Sequence, residues 1–144
     1  MPTLVVARQA YDELLRAGEA AGDREVCGVM AGTYGERESR VAAVHPVENA
    51  AETPETRYAM APEEQFEVLE RVEAAGRDVV GFYHTHPAGP PRPSATDAAR
   101  ATWTGYSYAV CTLGGDYPYL GSWRWRGGAA GFERELVALD GDRP

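Results

Sequence analysis

The hydrophobic positions along this chain fall into two alternating rhythms. Leu4 to Ala7 reads as a short strand, and the segment after it places Tyr11, Leu14, Leu15 and Gly18 on one helical face, with a stop at Gly22. Strands are predicted at 26–34 and 40–48, joined by a turn around Gly35-Glu36-Arg37-Glu38. A polar loop at 49–55 leads to a short strand, Arg57 to Met60, and then to a second helix. Pro62 stands at the start of that helix, Glu63 and Glu64 lie in its first turn, and Phe66, Leu69 and Val72 mark its buried face. The stretch from Arg77 to His84 is β-branched and aromatic and lies between Gly76 and Pro87, which predicts a buried strand over 78–86. A helix from 94 to about 102 and strands at 106–113, 118–126 and 131–139 complete the order. The pattern is that of an α/β fold: a single domain over 1–139, one mixed β-sheet flanked by helices, and a short tail at 140–144.

Chemistry concentrates at the end of the 78–86 strand. Side chains at i and i+2 of a strand share a face, so His84 and His86 project the same way. The connection that follows, 87–93, holds four prolines, which restrict the path of the loop. Ser94 then looks like a helix N-cap with Asp97 three residues on, where its carboxylate can turn back toward the two histidines. Ser-x-x-Asp is also an ordinary capping box. Two imidazoles and a carboxylate leave a tetrahedral Zn²⁺ with one open position, as a catalytic zinc requires. Upstream, Glu25 precedes the apolar run Val26 to Met30 and supplies a carboxylate for acid/base work.

This constellation is similar to that of a known family. Glu25, His84-x-His86-Pro87 and, seven residues later, Ser94-x-x-Asp97 resemble the motif of the JAMM (or MPN) zinc metalloproteases, and the likeness runs from Leu4 to about Leu139. The chain looks most like the stand-alone haloarchaeal desampylases. The resemblance implies a JAMM/MPN-type domain with cytidine-deaminase-like layering. It also implies Zn²⁺ on His84, His86 and Asp97, with Glu25 as general acid/base and Ser94 stabilising the oxyanion. The implied activity is that of a zinc isopeptidase cutting the amide bond between the C-terminal glycine of a ubiquitin-like modifier and a target lysine. A hydrolase freeing cysteine or another amine from a sulfur-carrier protein, or a non-enzymatic MPN scaffold, are the other readings. The scaffold members characteristically lack the metal ligands that this chain keeps. Thr85 stands where serine is commoner in the family, and by alternation it points away from the metal. The comparable part of the family to loop 49–58 borders the groove for the modifier's tail.

Composition narrows the partners. The 144 residues carry a net charge of −8, which argues against a nucleic-acid partner. No run approaches the length of a membrane span and the first residues lack a signal-peptide layout, so a cytoplasmic enzyme is expected. All 14 basic residues are arginine. A lysine-free acidic surface suits high salt, and high-GC coding produces the same bias. Without lysine, only the α-amino group is left to accept an isopeptide-linked modifier. Cys27 and Cys111 sit in apolar runs as small buried hydrophobes; a disulfide between them is disfavoured in a reducing compartment, and neither has the basic neighbours of a nucleophile. Trp123 and Trp125 share one sheet face as core or rim packing, with Arg124 and Arg126 on the other. His45 lies in a separate strand and is read as structural or exposed. Sequence leaves the oligomeric state open.

Overall fold

The computed structural model describes residues 1–141. β1 (Thr3–Ala7) runs straight into α1 (Arg8–Ala21), which ends at Gly22 with φ 63°, a left-handed value that favours glycine. β2 (Cys27–Thr33) and β3 (Glu38–Val47) form a hairpin, followed by α2 (Pro62–Ala74) and β4 (Asp78–His86). After α3 (Ala95–Arg100) come β5 (Ser107–Thr112), β6 (Tyr119–Trp125) and β7 (Phe132–Asp140).

The strands form one mixed sheet with helices on both faces. α1 covers a core of Leu4, Val6, Met30, Val41, Tyr83 and Cys111, into which it sets Ala10 and Leu14. Its Gly18 lies so close to the sheet that an added Cβ would stand 2.9 Å from Leu113 Cδ1 and 3.0 Å from Thr85 Cγ2. The opposite core gathers Val29, Val47, Phe82, Tyr108 and Trp125 under Val68 and Val72 of α2 and Ala101 just after α3. Each apolar side chain withdrawn from water in these layers contributes about 1.5–3 kcal/mol.

The sheet closes on itself in the order β1-β3-β2-β4-β5-β6-β7, because β1 pairs in parallel with both β3 and β7. Closure was no part of the flanked-sheet expectation: alternation gives each strand its face, whereas the partner of β1 is set by pairing more than a hundred residues away. It removes the exposed edges that an open sheet would carry. β4 lies between β2 and β5, antiparallel to the first and parallel to the second, so the His84–His86 end sits well inside the sheet.

Four elements differ from expectation. The strand predicted at 57–60 is reduced to a single bridge, Asn49 to Met60, because the Asn49 side chain takes up the backbone of that loop. Phe66 is 61% exposed, since the buried stripe of α2 centres on Val68 and Val72, about 140° away around the helix. α3 stops at Arg100, where Ala101 turns extended. β7 runs to Asp140, which pairs with Ala7, and residues 142–144 of the expected tail lie outside the described residues.

Candidate metal and catalytic site

The predicted residues come together at the C-terminal end of β4. His84 and His86 are both buried on the face that carries Phe82. Their Nε2 atoms are 3.1 Å apart, and Asp97 Oδ2 lies 3.0 Å from His84 Nε2 and 3.6 Å from His86 Nε2. A tetrahedral ion with 2.0–2.1 Å bonds separates its ligands by roughly 3.3 Å, so these three atoms stand about where a zinc cage would need them. Glu25 and the two histidines also offer ligand atoms within 4.8 Å of one another. The chemistry of the donors fits zinc: two imidazoles and carboxylate oxygens, with no competing thiolate.

Two of the three ligand side chains are held by hydrogen bonds to neighbours. Pro90, in the proline-rich loop, places its carbonyl 2.8 Å from His86 Nδ1. A carbonyl only accepts, so Nδ1 carries the proton and Nε2 of the neutral ring keeps its lone pair for a cation. Asp97 is fixed by the capping box: Ser94 N–H donates to Asp97 Oδ2 at 2.7 Å, and Asp97 N–H donates to Ser94 Oγ at 3.0 Å. The box and the ligand geometry are therefore one structure. The cap that starts α3 also aims the carboxylate at the histidines.

Glu25 is 6% exposed and just precedes β2. Thr85 faces away from the histidines, as alternation requires, and its buried hydroxyl accepts from Val26 N–H at 2.9 Å, while Thr85 N–H donates to Val26 O. On the other flank Glu25 N–H donates to Pro54 O, and Asn49 Nδ2 donates to Glu25 O at 2.9 Å. The glutamate's backbone is thus tied both to the histidine strand and to the 49–60 loop.

Burial sets the titration of this cluster. It raises Glu25 to about 7, with the nearby Asp97 adding to the rise and His86 opposing it. Full burial lowers His84. Burial opposes ionisation of Asp97 as well, but with no cation bound, Nε2-protonated imidazoles of His84 and His86, together with Ser94 N–H, hold its carboxyl well below the usual range.

Two features escaped the periodicity. Tyr58 stacks on the His84 ring, with centroids 4.3 Å apart and planes 22° from parallel. The loop that carries it is stitched rather than merely polar: Asn49 accepts from Ala51 and Ala59 N–H, and Arg100 Nη1 donates to Tyr58 O. The Asn49 and Arg100 side chains were the available signals, but such side-chain-to-backbone bonds have no period. His45 is half-buried in β3, outside this group. Cys27 and Cys111 are free and buried, and burial pushes their thiols up to about 12 and about 11, which suits inert packing.

A buried pair of imidazoles and a capped aspartate at a strand end, next to a glutamate of raised pKa, define a hydrolase-like centre on this fold. Residues 7–126 match the family described as prokaryotic homologs of the JAB domain, and the chain belongs to that family. It is 50% identical over 117 residues to a desampylase of Haloferax volcanii, covering 78% of this chain and 82% of the relative. A desampylase of Pyrococcus furiosus is 34% identical over 95 residues, covering 66% of this chain and 64% of that protein. A solved structure from Desulfitobacterium hafniense superimposes with a TM-score of 0.86 at 26% identity, covering 96% of this chain and 94% of that one.

Proposed function

We propose that the protein is a zinc-dependent isopeptidase that hydrolyses the amide bond between the C-terminal glycine of a small ubiquitin-like modifier and a lysine of its target. The observation that carries this reading is the convergence of His84 Nε2, His86 Nε2 and Asp97 Oδ2 within 3.0–3.6 Å, with the acid/base candidate Glu25 beside them. The likeness to two desampylases supports the substrate class. The likeness to the desampylases of Haloferax volcanii and Pyrococcus furiosus supports placing it in the cytoplasm of an archaeon; among the described residues no helix is long and apolar enough to cross a membrane.

In this reading His84, His86 and Asp97 hold the metal. When bound, zinc acts as a Lewis acid, making a water more acidic and a carbonyl more electrophilic. Glu25 takes the proton from the attacking water and returns it to the leaving amine, and a carboxyl raised to about 7 is matched to both steps near neutral pH. Ser94 uses its Oγ lone pair to cap α3, which leaves the hydroxyl hydrogen free to donate to the developing oxyanion. Tyr58 covers one face of His84 and excludes water from that side. The 49–60 loop, tied to Glu25 through Asn49, borders the path of the modifier's tail.

The test is hydrolysis of a purified modifier–lysine conjugate with and without a chelator. The reading expects free modifier, loss of activity on chelation and recovery with added zinc. Turnover confined to a carrier–cysteine adduct would transfer the site to a sulfur-carrier hydrolase, and full activity in chelator would remove the metal.

A further inference from the structure

A second groove lies beside His86, and nothing in the steps above uses it. It has a volume of about 460 Å³ and is walled by Gly89, Thr112, Gly114, Gly115, Tyr117 and Tyr119, from the loops after β4 and β5 and the start of β6. None of its lining residues is charged. It adjoins the strand end that carries His86. Thr112 pairs with His86 across the sheet, Leu113 N–H donates to His86 O, and a Cβ on Gly89 would stand 3.1 Å from the His86 ring. Among the described residues, Thr112 Oγ1 has no hydrogen-bond partner although the residue is only 8% exposed. A buried hydroxyl left without a partner costs free energy, so an occupant that supplies one is favoured. Tyr117, 83% exposed, presents most of its side chain to solvent at the groove wall.

Register decides which half of a substrate this groove faces. Cys27 pairs with His84, and Val26 and Thr85 are joined by two hydrogen bonds, so Glu25 continues to the level of His86. Across the sheet the order at that level is Glu25, His86, Thr112. Glu25 returns its proton to the departing nitrogen, so the nitrogen's side of the bond lies over the His86 end. Tyr58 covers His84 instead, and Arg57 and Arg100 line the pockets on that flank, where a glycine tail and its new carboxylate find cationic donors. The geometry points to the Thr112–Tyr117–Tyr119 groove as the acceptor subsite, holding the isopeptide-linked lysine and its adjoining backbone. While the bond is intact that lysine nitrogen is an uncharged amide on a four-carbon apolar stem. An uncharged tyrosine-walled groove suits the stem, the glycines let a peptide backbone approach, and Thr112 Oγ1 supplies a hydrogen bond to it. This assignment rests on the isopeptidase reading.

The experiment uses two probes with the zinc-loaded Glu25→Gln protein, followed by NMR. One is Ala-Ala-Lys-Ala-Ala carrying glycylglycine on the lysine nitrogen; the other is glycylglycine methylamide, which keeps only the acyl side. The branched peptide is expected to shift the Gly114 and Gly115 amides and the Tyr117 and Tyr119 rings, and the methylamide is not. Thr112→Val should weaken the branched peptide by about fivefold or more, the size of one lost hydrogen bond, while the methylamide binds as before. The same variant should melt no lower than its parent, because an unpaired hydroxyl leaves the interior. If it melts lower, Tyr117→Ala, at an exposed position, is held to the same loss. Equal groove shifts with both probes, shifts with neither, or undiminished branched-peptide binding in these variants would overturn the subsite. Failure of the unaltered protein to cleave the branched peptide or a full conjugate counts against the isopeptidase reading, and the binding shifts still judge the groove.

Discussion

Two buried polar clusters occupy opposite ends of the same sheet, and they are built on opposite principles. Beside the start of β5, Arg124 of β6 and Glu135 of β7 are both fully buried, and every charged nitrogen and oxygen is satisfied within the protein. Arg124 Nε donates to Glu135 Oε2 at 2.9 Å, its Nη1 to Gly105 O, and its Nη2 to Gly35 O and Ser39 Oγ. Ser122 donates to the remaining Glu135 oxygen at 2.6 Å. Cation and anion cancel, and loops from two parts of the chain are pinned. At the other end, His84, His86, Asp97 and Glu25 are nearly as buried, yet they present lone pairs and negative charge to one another. In the proposed reading a cation from outside the chain closes that end. One cluster is finished by folding, and the other is only prepared by it.

Substitutions should therefore divide cleanly between stability and activity. Glu25→Gln is expected to cause the largest change: hydrolysis slowed about 10²–10⁴-fold, or roughly 2.7–5.4 kcal/mol, with zinc retained and the fold intact. The metal-free protein gives this contrast a pH signature. Burial raises Glu25 above its unfolded value, so its contribution to stability is present below the ordinary carboxylate range and is lost as pH rises through about 7. The buried His84 works in the opposite direction, because its lowered pKa favours folding as pH rises. Subtracting the unaltered protein from Glu25→Gln isolates the first effect: the variant's melting advantage should grow between pH 5 and pH 8. A constant difference would mean that Glu25 is not destabilised by its surroundings.

Glu135→Ala should act at the other end alone. It leaves Arg124 buried and unpaired, at a cost of about 3–5 kcal/mol in denaturant unfolding, while the zinc site of whatever protein remains folded is unchanged. Thermal melts and metal content measured together check this, and lost zinc affinity without lost stability would contradict it. Ser94 belongs to both categories. Ser94→Ala should lose about 1 kcal/mol of stability as a cap and roughly 2.7–4 kcal/mol in kcat as an oxyanion donor. Aspartate and asparagine both cap, but a carboxylate repels the oxyanion and an amide can still donate. Ser94→Asp is expected to be stable and nearly inactive, and Ser94→Asn stable and partly active. Wild-type kcat in Ser94→Asp would leave Ser94 as a cap only.

The two ends also differed in how far the sequence revealed them. The prepared end was legible because its logic is local. His84 and His86 are two apart on a strand that the Asp78–His86 run marks unmistakably, and Ser94 and Asp97 lie one helical turn apart behind a proline-rich loop. The finished end was not. Trp123-Arg124-Trp125-Arg126 reads as one apolar face and one polar face, and nothing local says that Arg124 turns into the interior. What admits it is Glu135, which the β6–β7 pairing sets opposite Ser122 and diagonal to Arg124, together with the carbonyls of Gly35 and Gly105. Closure through β1 and β7 escaped for the same reason, since register between distant strands has no signature in either strand. Tyr58 over His84 depends on Asn49 folding its loop, which alternation alone misread as a strand.

The central claim, that one end of the sheet is a cation site completed from outside, is tested most directly by zinc content. Three purified proteins are dialysed against the same zinc buffer and analysed for metal per folded chain: unaltered, Glu25→Gln and Asp97→Ala. Stoichiometric zinc is expected in the first two and little in the third, because a catalytic zinc rests on only three protein ligands. Retention in Asp97→Ala with loss in Glu25→Gln would exchange the roles of the two carboxylates, and no zinc in the unaltered protein would contradict the account outright.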